Sequence, residues 1–481
     1  MGPALALSVT SWARINHLFD ERPVLLVADP DSYTWSIVQL ILGSDFRVEH
    51  VRSYKEVKDR VLELRPQAIL CEYRIANPSI LASDQDTRDI PTLFISGVDP
   101  QRAGSDVVDR EWLPKELLNR DLKKRIAQRI QAQAAQPLQK VILTLAIDEK
   151  EVFLGSLSGD VFLDLRNVGT FPLSECTVAA SRLRDAEQNI SREGAEREGA
   201  ELYRMVFNSE GVRDLYRQAL ATGRMMEVRL TGNPELLAIP FEMLSDPEGA
   251  QPFVIRHALT RGIGGIFVTR PPLSRTVFEM LPKRGRPRVL LIGSDPRHET
   301  EIHVDFEIEN LRRSIITSFR RQGFEPAVVA LKTSQASFRR VFTEISKPDW
   351  DIIHYAGHGE STGSLRFFEG RRPDGISEEL TGQIFQDLLR QSKVRFVYLS
   401  CCTGTEALGR SLAEAGVPAF LLFRWSHSGV QLAKFAERFY GDLAIHRDLE
   451  VALLRTRHWA YHHPDLRSGL LWASSVLVRQ S

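Results

Sequence analysis

Two short segments in the C-terminal half of this 481-residue chain each join an apolar run to a side chain capable of thiol chemistry. The run Asp351–Tyr355 leads through Ala-Gly into His358, and the run Val394–Leu399 leads through Ser-Cys into Cys402. An imidazole can take the proton of a thiol, and the resulting thiolate is a strong nucleophile. His358 and Cys402 are therefore candidates for the general base and the nucleophile of one site.

Both runs are typical of buried strands, and each ends where small residues break the pattern. In an open α/β sheet, groups at the carboxyl ends of neighbouring parallel strands meet in one crevice. The 44 positions that separate residues 358 and 402 in the sequence therefore do not prevent the two side chains from being neighbours in space.

Composition places the chain among ordinary soluble globular proteins. Its 43% hydrophobic and 26% charged residues, over 481 positions, predict two to four domains. Lys+Arg and Asp+Glu both total 62, and this balance argues against nucleic acid as the main partner. We predict neither a signal peptide nor a membrane span, and hence a cytoplasmic protein. The four cysteines do not fit a disulfide framework or a zinc site, and no metal or other cofactor is predicted.

Residues 23–120 alternate strand and helix patterns, which predicts a doubly wound parallel sheet with helices on both faces. The predicted strands are Pro23–Ala28, Phe46–Val51, Ala68–Cys71, Pro91–Ser96 and Trp112–Lys115.

This stretch resembles the receiver domain of response regulators. The acidic pair after the first strand falls at Asp29 and Asp31, the hydroxyl residue after the fourth strand at Ser96, and the lysine after the fifth at Lys115. The phospho-acceptor aspartate, however, is replaced by Glu72, which is one methylene longer. Two hypotheses remain, a receiver that takes phosphate and a degenerate receiver used as a docking or dimerising module, and we favour the second.

The remaining chain is predicted to be α/β as well. Val161–Leu165 is expected to be a strand, Leu236–Leu244 an apolar strand that runs into a Pro-Phe-Glu turn, and Gly359–Arg372 a loop or hairpin. Ser334 is expected to cap a helix that ends near residue 345. Within the turn, Glu242 is predicted to be a buried, hydrogen-bonded structural acid.

Residues of about 140–481 resemble a CHAT domain, the caspase-like module of clan CD cysteine peptidases. The resemblance implies a caspase-like α/β domain whose mostly parallel sheet is flanked by helices. It divides the chain into an N-terminal segment (1–22), the receiver-like domain (23–137), the N-terminal, pseudo-caspase-like part of the CHAT module (138–280) and the catalytic half (281–481). The matching pieces, in chain order, are Ile239–Leu244, Asp351–Gly359, Leu399–Cys402, Trp425 and Phe439-Tyr440.

The resemblance assigns the base to His358 and the nucleophile to Cys402. It also implies that the amides of Gly359 and Cys402 form the oxyanion hole, with no obligatory third catalytic residue. His354 lies inside the apolar run and is expected to be a core histidine. Cys401 should point to the opposite side of its strand from Cys402 and be buried.

The residues that would recognise the side chain before the scissile bond (P1) depart from the usual CHAT pattern. Many CHAT domains carry an aspartate about three residues after the tryptophan, but here Trp425 is followed at that spacing by Ser428. Asp295, Asp305 or Glu360 could take over the binding of a basic P1 side chain. Conversely, Arg424 could favour an acidic P1, although a solvated or structural arginine is the preferred interpretation.

The sequence thus predicts a cytoplasmic cysteine endopeptidase that cleaves a protein partner and is regulated by its receiver-like domain. An activating protein or an oligomeric partner is expected to act through that domain, with Glu187–Ala200 and Gly359–Arg372 as candidate switching segments. The resemblance places such enzymes in bacterial signalling or antiviral defence. The alternative is a pseudo-protease that serves as an interaction scaffold. A DNA-binding response regulator is disfavoured, because no basic or helix-turn-helix pattern follows the receiver-like stretch.

Overall fold

The structure is a computed structural model in two units, Met1–Leu138 and Gln139–Ser481. The residues that it describes are 22–64, 66–84, 86–87, 90–97, 112–135, 140–147, 152–158, 166–185, 191–247, 249, 251–263, 286–295, 304–347, 349–360, 363–368, 377–401, 405–463, 465–466 and 469–480.

The N-terminal unit contains a parallel sheet in the order β2-β1-β3-β4-β5. Alternate residues of its strands enter two separate cores, as the period of a strand requires. Leu25 and Val27 pack on one face, and Leu26 and Ala28 on the other. The strands are β1 (Val24–Ala28), β2 (Arg47–Val51), β3 (Ala68–Glu72), β4 (Thr92–Ser96) and β5 (Trp112–Pro114), and the helices are α1 (Ser32–Leu42), α2 (Tyr54–Leu64), α3 (Pro78–Ser83) and α4 (Leu118–Ala135).

The C-terminal unit is built on an eleven-stranded sheet in the order β12-β11-β13-β16-β17-β18-β10-β9-β6-β7-β8. Most neighbours are parallel, and the antiparallel pairs are β17–β18, β6–β7 and β7–β8. Its strands are β6 (Lys140–Ile147), β7 (Val152–Ser158), β8 (Arg166–Thr170), β9 (Met225–Gly232), β10 (Ala258–Ile263), β11 (Arg288–Ser294), β12 (Ala327–Leu331), β13 (Ile352–Gly357), β16 (Phe396–Ser400), β17 (Ala419–Phe423) and β18 (Ser475–Arg479). A separate antiparallel pair joins β14 (Leu365–Phe368) to β15 (Ser377–Leu380).

Helices cover this sheet and enclose two cores. Ile352 and Ala356 of β13 belong to one core, and Ile353 and Tyr355 to the other. The predicted mixed α/β class, with a smaller parallel sheet and a larger, mostly parallel one, is therefore confirmed. The helices are α5 (Leu173–Asp185), α6 (Arg192–Val206), α7 (Glu210–Ala221), α8 (Phe253–Arg256), α9 (Val304–Arg321), α10 (Phe338–Ile345), α11 (Gly382–Gln391), α12 (Thr405–Glu414), α13 (Gly429–His446), α14 (Leu449–His462) and α15 (Leu471–Ser474).

Some local predictions need correction. The expected apolar strand in Leu236–Leu244 is wrong, because Pro234–Ala238 and Phe241–Met243 are short 3₁₀ helices. Their apolar side chains reach the core from turns rather than from an extended ladder. Helix α10 is capped by Ser337, whose hydroxyl accepts from the Arg340 amide, and not by Ser334. The predicted strand at 161–165 lies outside the described residues.

One cluster of buried charges joins the β6 and β9 strands to the start of α14. The Lys140 ammonium lies 2.8 Å from Glu227 Oε2 and 2.9 Å from Asp448 Oδ2. Arg229 pairs with Glu227, and Arg479 pairs with Glu450. Three cations therefore face three carboxylates. Burial would raise the pKa of Glu227 and of Asp448, but Lys140 overcomes that effect, so that both pKa values fall below their ordinary range.

We expect Lys140→Met to lower the free energy of unfolding by about 3 kcal/mol at neutral pH, because it leaves buried carboxylates without their counter-ion. Carboxylates with a lowered pKa contribute stability that is present above the ordinary pKa and is lost as pH falls. The difference between wild type and variant should therefore shrink below about pH 4. Urea titrations across this pH range measure it.

Lys434→Met is the matched control. Its partner Asp465 lies 2.7 Å away, but both side chains are exposed and screened by water, so that the loss should be far smaller than for Lys140→Met. Equal losses for the two variants would show that the buried cluster does not hold the strands to α14.

Candidate active site

Strand register brings three chain segments to the same level at the carboxyl edge of the large sheet. Strand β13 lies between β11 and β16 and is parallel to both. Ala356 of β13 is paired with Gly293 of β11 and with Ser400 of β16. Residues that follow these three positions therefore leave the sheet side by side, which is the arrangement that builds sites in open α/β sheets.

His358 lies at this edge beside a carboxylate from the neighbouring strand. Its Nε2 is 3.7 Å from Oδ1 of Asp295, and the two side chains are 20% and 15% exposed. This distance is within ion-pair range but longer than a direct hydrogen bond. Asp295 and His358 each follow the paired residues Gly293 and Ala356 by two positions, so that both occupy the same face of the sheet.

The backbone around His358 is fixed by the segment that leads into β14. The Arg366 amide donates to the His358 carbonyl at 3.1 Å, and the Glu360 amide donates to the Ser364 carbonyl at 3.0 Å. The Tyr355 hydroxyl lies 2.9 Å from the His358 carbonyl and 2.7 Å from the Arg366 carbonyl, within donating distance of both. Tyr355 is buried, so its ring and hydroxyl brace the turn from the core.

Gly359 pairs with Leu365 in an antiparallel bridge whose hydrogen bonds are made by the residues on either side. In such a pair, the N–H of the central residue points away from the partner segment. The Gly359 amide is therefore directed out of the hairpin.

Cys402 lies outside the described residues. The same holds for its backbone amide, which is expected to contribute to the oxyanion hole. The described chain does reach Cys401, which is buried in the core that contains Leu399 and Tyr355. The expectation of a buried Cys401 is confirmed. Counted along the sequence, Cys402 is two positions beyond Ser400, as His358 is two positions beyond the paired Ala356.

His354 has both ring nitrogens engaged in the core. Nε2 lies 3.3 Å from Oε1 of Glu307, and Nδ1 lies 3.3 Å from the Tyr440 hydroxyl. Its ring stacks on Tyr398 at 4.5 Å, and the side chain is fully buried. This confirms the predicted core histidine and separates it from His358.

The candidate P1 residues are engaged in contacts within the chain. Glu360 pairs with Arg366 on the hairpin. Ser428 caps α13 and accepts from the Gln431 amide, and Trp425 is buried in the core. The Asp305 carboxylate accepts from the Thr333 amide at 2.7 Å.

Arg424 is a structural residue, as the preferred interpretation held. Its Nη2 donates to the Ile239 carbonyl at 3.1 Å, and its Nε donates to Glu242 at 3.3 Å. Glu242 is fully buried and also receives two hydrogen bonds from Arg261. The prediction of a buried structural acid at 242 is confirmed.

In the N-terminal unit, three of the five predicted receiver-like residues meet. The Lys115 ammonium lies 2.7 Å from Asp29 Oδ2 and 2.8 Å from Glu72 Oε2, and both carboxylates are buried. Asp31 instead caps α1 by accepting from the Tyr33 amide. Ser96 is buried at the end of β4.

Comparison with known families agrees with this architecture. The CHAT domain matches residues 196–480, which is more than half of the chain. The chain belongs to the CHAT domain family. The match to this caspase-like family includes His358, Gly359 and Cys402, whereas β6, β7 and β8 precede it although they continue the same sheet. A comparison with curated proteins found no match.

Two further observations concern the described residues of this CHAT protein. No helix among them is both long enough and apolar enough to cross a membrane. Within the same residues, no three His, Cys, Asp or Glu side chains are grouped as a metal site would require.

Sequence reasoning missed two features of this CHAT domain site. The apolar run that contains Tyr355 does not indicate that the tyrosine hydroxyl holds the turn that carries His358. The sequence predicts Asp295 only as a pocket acid, because its position beside His358 depends on the β11–β13 register. The two residues lie at equal distances beyond the ends of their strands, and this equal spacing is the feature of the sequence from which their proximity could be inferred.

Gly357 has no room for a side chain. An added Cβ would lie 2.5 Å from the Tyr355 hydroxyl and 2.7 Å from the Ser294 carbonyl oxygen. We expect Gly357→Ala to destabilise the fold by about 2 kcal/mol through overpacking, as measured by urea unfolding. Gly97→Ala, where an added Cβ meets nothing within 4 Å, should be nearly neutral. Equal stability of both variants would contradict the tight packing at the site.

Proposed function

We propose that this CHAT protein is a caspase-like cysteine endopeptidase that cleaves a protein partner, with Cys402 as nucleophile and His358 as general base. The observation that carries the proposal is the common register of β11, β13 and β16, together with the partly exposed position of His358 at the edge of the sheet. A histidine needed only for packing would be enclosed as His354 is, whose side chain is fully buried.

In the proposed reaction, His358 takes the thiol proton of Cys402, and the thiolate attacks the carbonyl carbon of the scissile peptide bond. The imidazolium then protonates the leaving amine, the C–N bond breaks and a thioester remains on Cys402. Water, activated by the same imidazole, hydrolyses the thioester and releases the free carboxylate.

The outward direction of the Gly359 amide supports its proposed part in the oxyanion hole. A carbonyl oxygen that becomes an oxyanion needs donors fixed before the reaction begins. The hydrogen bonds at His358 and Glu360 fix this segment on both sides of Gly359. A backbone donor held in this way is typically worth about 3 kcal/mol of transition-state stabilisation.

Asp295 is proposed as a positioning residue for His358 rather than as part of a P1 pocket. Its carboxylate faces Nε2, and Nδ1 is the ring nitrogen proposed to act on the thiol. It also offsets the charge that the imidazole gains during the reaction. The other acidic P1 candidates contact Arg366 and the Thr333 amide, so basic P1 specificity has no support from them.

The N-terminal unit is proposed to be a degenerate receiver that docks a partner or a second copy. Lys115 already bridges Asp29 and Glu72, and this contact offsets part of the charge of the carboxylates that a phosphate-accepting site would use. A glutamate at the acceptor position supports the same conclusion. The proposed role of this unit is to bring an activating protein to the peptidase.

The central prediction concerns cleavage of a proteome-derived peptide library, with cut sites read by mass spectrometry. We expect wild-type protein to produce cuts with a shared P1 residue, and Cys402→Ala to produce none. His358→Ala should reduce the rate by a factor of roughly 10² to 10⁴, the usual contribution of a general base. Cleavage that persists in Cys402→Ala would disprove the proposed mechanism.

The same assay tests Asp295. Asp295→Asn should lower kcat by about tenfold and leave KM unchanged, because an orienting residue acts on the chemical step. Asp349→Asn, which alters an exposed pair with Arg288 at the opposite edge of the sheet, is the matched control. A change in KM and P1 preference instead of kcat would indicate that Asp295 lines the P1 pocket.

The scaffold hypothesis makes a different prediction. It expects no cleavage by the wild type, and it expects an electrophilic peptide to label Cys402 slowly and equally in wild type and His358→Ala.

A further inference from the structure

Three arginines converge on one carboxylate in the interior of the C-terminal unit. Arg261 donates to Glu242 through Nε at 2.9 Å and through Nη2 at 2.8 Å, and Arg424 donates to the same carboxylate at 3.3 Å. The Arg457 guanidinium interacts electrostatically with Glu242 and is repelled by the other two arginines. Side-chain exposure is 2% for Arg261, 7% for Arg424 and 1% for Glu242, and Arg457 is fully buried. We call these four residues the arginine cluster.

The charge of the arginine cluster is not balanced by its own members. One carboxylate faces three guanidinium groups, whereas the cluster around Lys140 matches three cations with three carboxylates. Burial would raise the pKa of Glu242, but Arg261 and Arg424 hold it at about 2, so that the acid is ionised. Counted over the described members of the cluster alone, two positive charges are in excess of the single carboxylate, in a region nearly closed to water. Uncompensated buried charge is expensive, at several kcal/mol per ion.

Backbone carbonyls accept some of the hydrogen bonds that the buried arginines donate. The Ile239 carbonyl accepts from Arg261 at 2.8 Å and from Arg424 at 3.1 Å. Arg457 donates through Nε to the Ser475 hydroxyl at 3.1 Å and through Nη2 to the Ser475 carbonyl. These acceptors are neutral, so they satisfy hydrogen bonds without cancelling the net charge.

Arg457 is the member with unused donor capacity. Its Nη1 is buried and has no hydrogen-bond acceptor among the described residues. Burial lowers the pKa of Arg457 to about 10, against the attraction of Glu242, so that it stays protonated at neutral pH. A protonated guanidinium forms its strongest hydrogen bonds with an anion, and Nη1 of Arg457 is an enclosed donor without an acceptor among the described residues.

We propose that the arginine cluster binds a small monovalent anion of the size of chloride, contacted by Nη1 of Arg457. The enclosure by four buried side chains and the surrounding strands selects a small ion over phosphate or a carboxylate of a protein partner. Binding reduces the excess charge and adds an acceptor where the chain supplies none.

The position of the cluster gives the anion a structural consequence. Arg424 directly follows β17, Arg457 lies on α14 and Ser475 begins β18, while Glu242 and Ile239 belong to the segment after β9. The cluster therefore joins the half of the sheet that carries the proposed catalytic edge to the other half. An anion there stabilises this junction, independently of whether the site cleaves peptides.

The test is thermal unfolding of the full chain at constant ionic strength, with sodium gluconate replaced stepwise by sodium chloride. A ligand that binds only the folded state raises the unfolding temperature with the logarithm of its concentration. We expect a rise on the order of 2 °C for each tenfold increase in chloride above its Kd. An unfolding temperature with the same value in gluconate and chloride would overturn the proposal.

Variants separate the arginine cluster from general salt effects. Arg457→Met should remove the chloride dependence, and in gluconate it should be at least as stable as wild type, because an unpaired buried charge is gone. Arg229→Met, which breaks the balanced cluster instead, should be destabilised but keep the chloride response. A chloride response that survives in Arg457→Met would contradict the assignment.

A crystallographic measurement on the wild-type chain does not depend on how well the variants fold. With bromide in place of chloride, an anomalous peak beside the Arg457 guanidinium is expected. Anomalous peaks confined to the protein surface would refute the site.

Discussion

The arrangement of the candidate active site depends on the parallel register of three central strands. Ala356 on β13 is level with Gly293 on β11 and Ser400 on β16, so that the chain leaves all three strands at one height. A shift of one residue would turn His358 to the opposite face of the sheet and away from Asp295. Register in turn is fixed by packing, because β13 and β16 are buried along their whole length and alternate residues fill two distinct cores.

Buried polar groups hold the large sheet together at several places. His354, Glu307 and Tyr440 form a hydrogen-bonded group beneath the edge, on the same strand that ends at His358. Farther along the sheet, the balanced cluster around Lys140 and the arginine cluster around Glu242 join segments that are distant in sequence. Removing one member of the balanced cluster costs more than the cluster contributes, since a buried partner is left uncompensated. The sheet therefore tolerates little movement where these groups lie.

Much of the fold follows from sequence pattern alone. The apolar runs that end at His358 and at Ser400 were recognisable as buried strands, and His354 was separable from His358 because it lies inside its run. Glu242 was predictable as a buried acid because it follows a proline and an aromatic residue within an apolar segment. Local apolar patterns carry this information because strands and core residues are defined by burial.

The failures have a common physical cause, which is that partners distant in sequence decide the outcome. The segment around Leu236 is apolar enough for a strand, yet it folds into 3₁₀ turns whose Leu236 and Ile239 carbonyls accept from Arg261. The cap of α10 is a local exception, because two serines precede the helix and the hydroxyl of Ser337, not of Ser334, accepts from the nearby Arg340 amide. The engagement of Glu360 by Arg366 and the position of Asp295 beside His358 arise from tertiary contacts. Three arginines around Glu242 come from three separate elements, and no local pattern links them.

The most direct test of the account is the pH dependence of Cys402 alkylation by iodoacetamide, followed by mass spectrometry in wild type and His358→Ala. A thiol that shares its proton with a nearby imidazole reacts at neutral pH well above the rate of an ordinary cysteine, and that enhancement should vanish in His358→Ala. We expect a difference of at least about tenfold between the two proteins at pH 7. Identical pH profiles in the two proteins, both rising only near the pKa of a free thiol, would contradict the proposed pairing of His358 and Cys402.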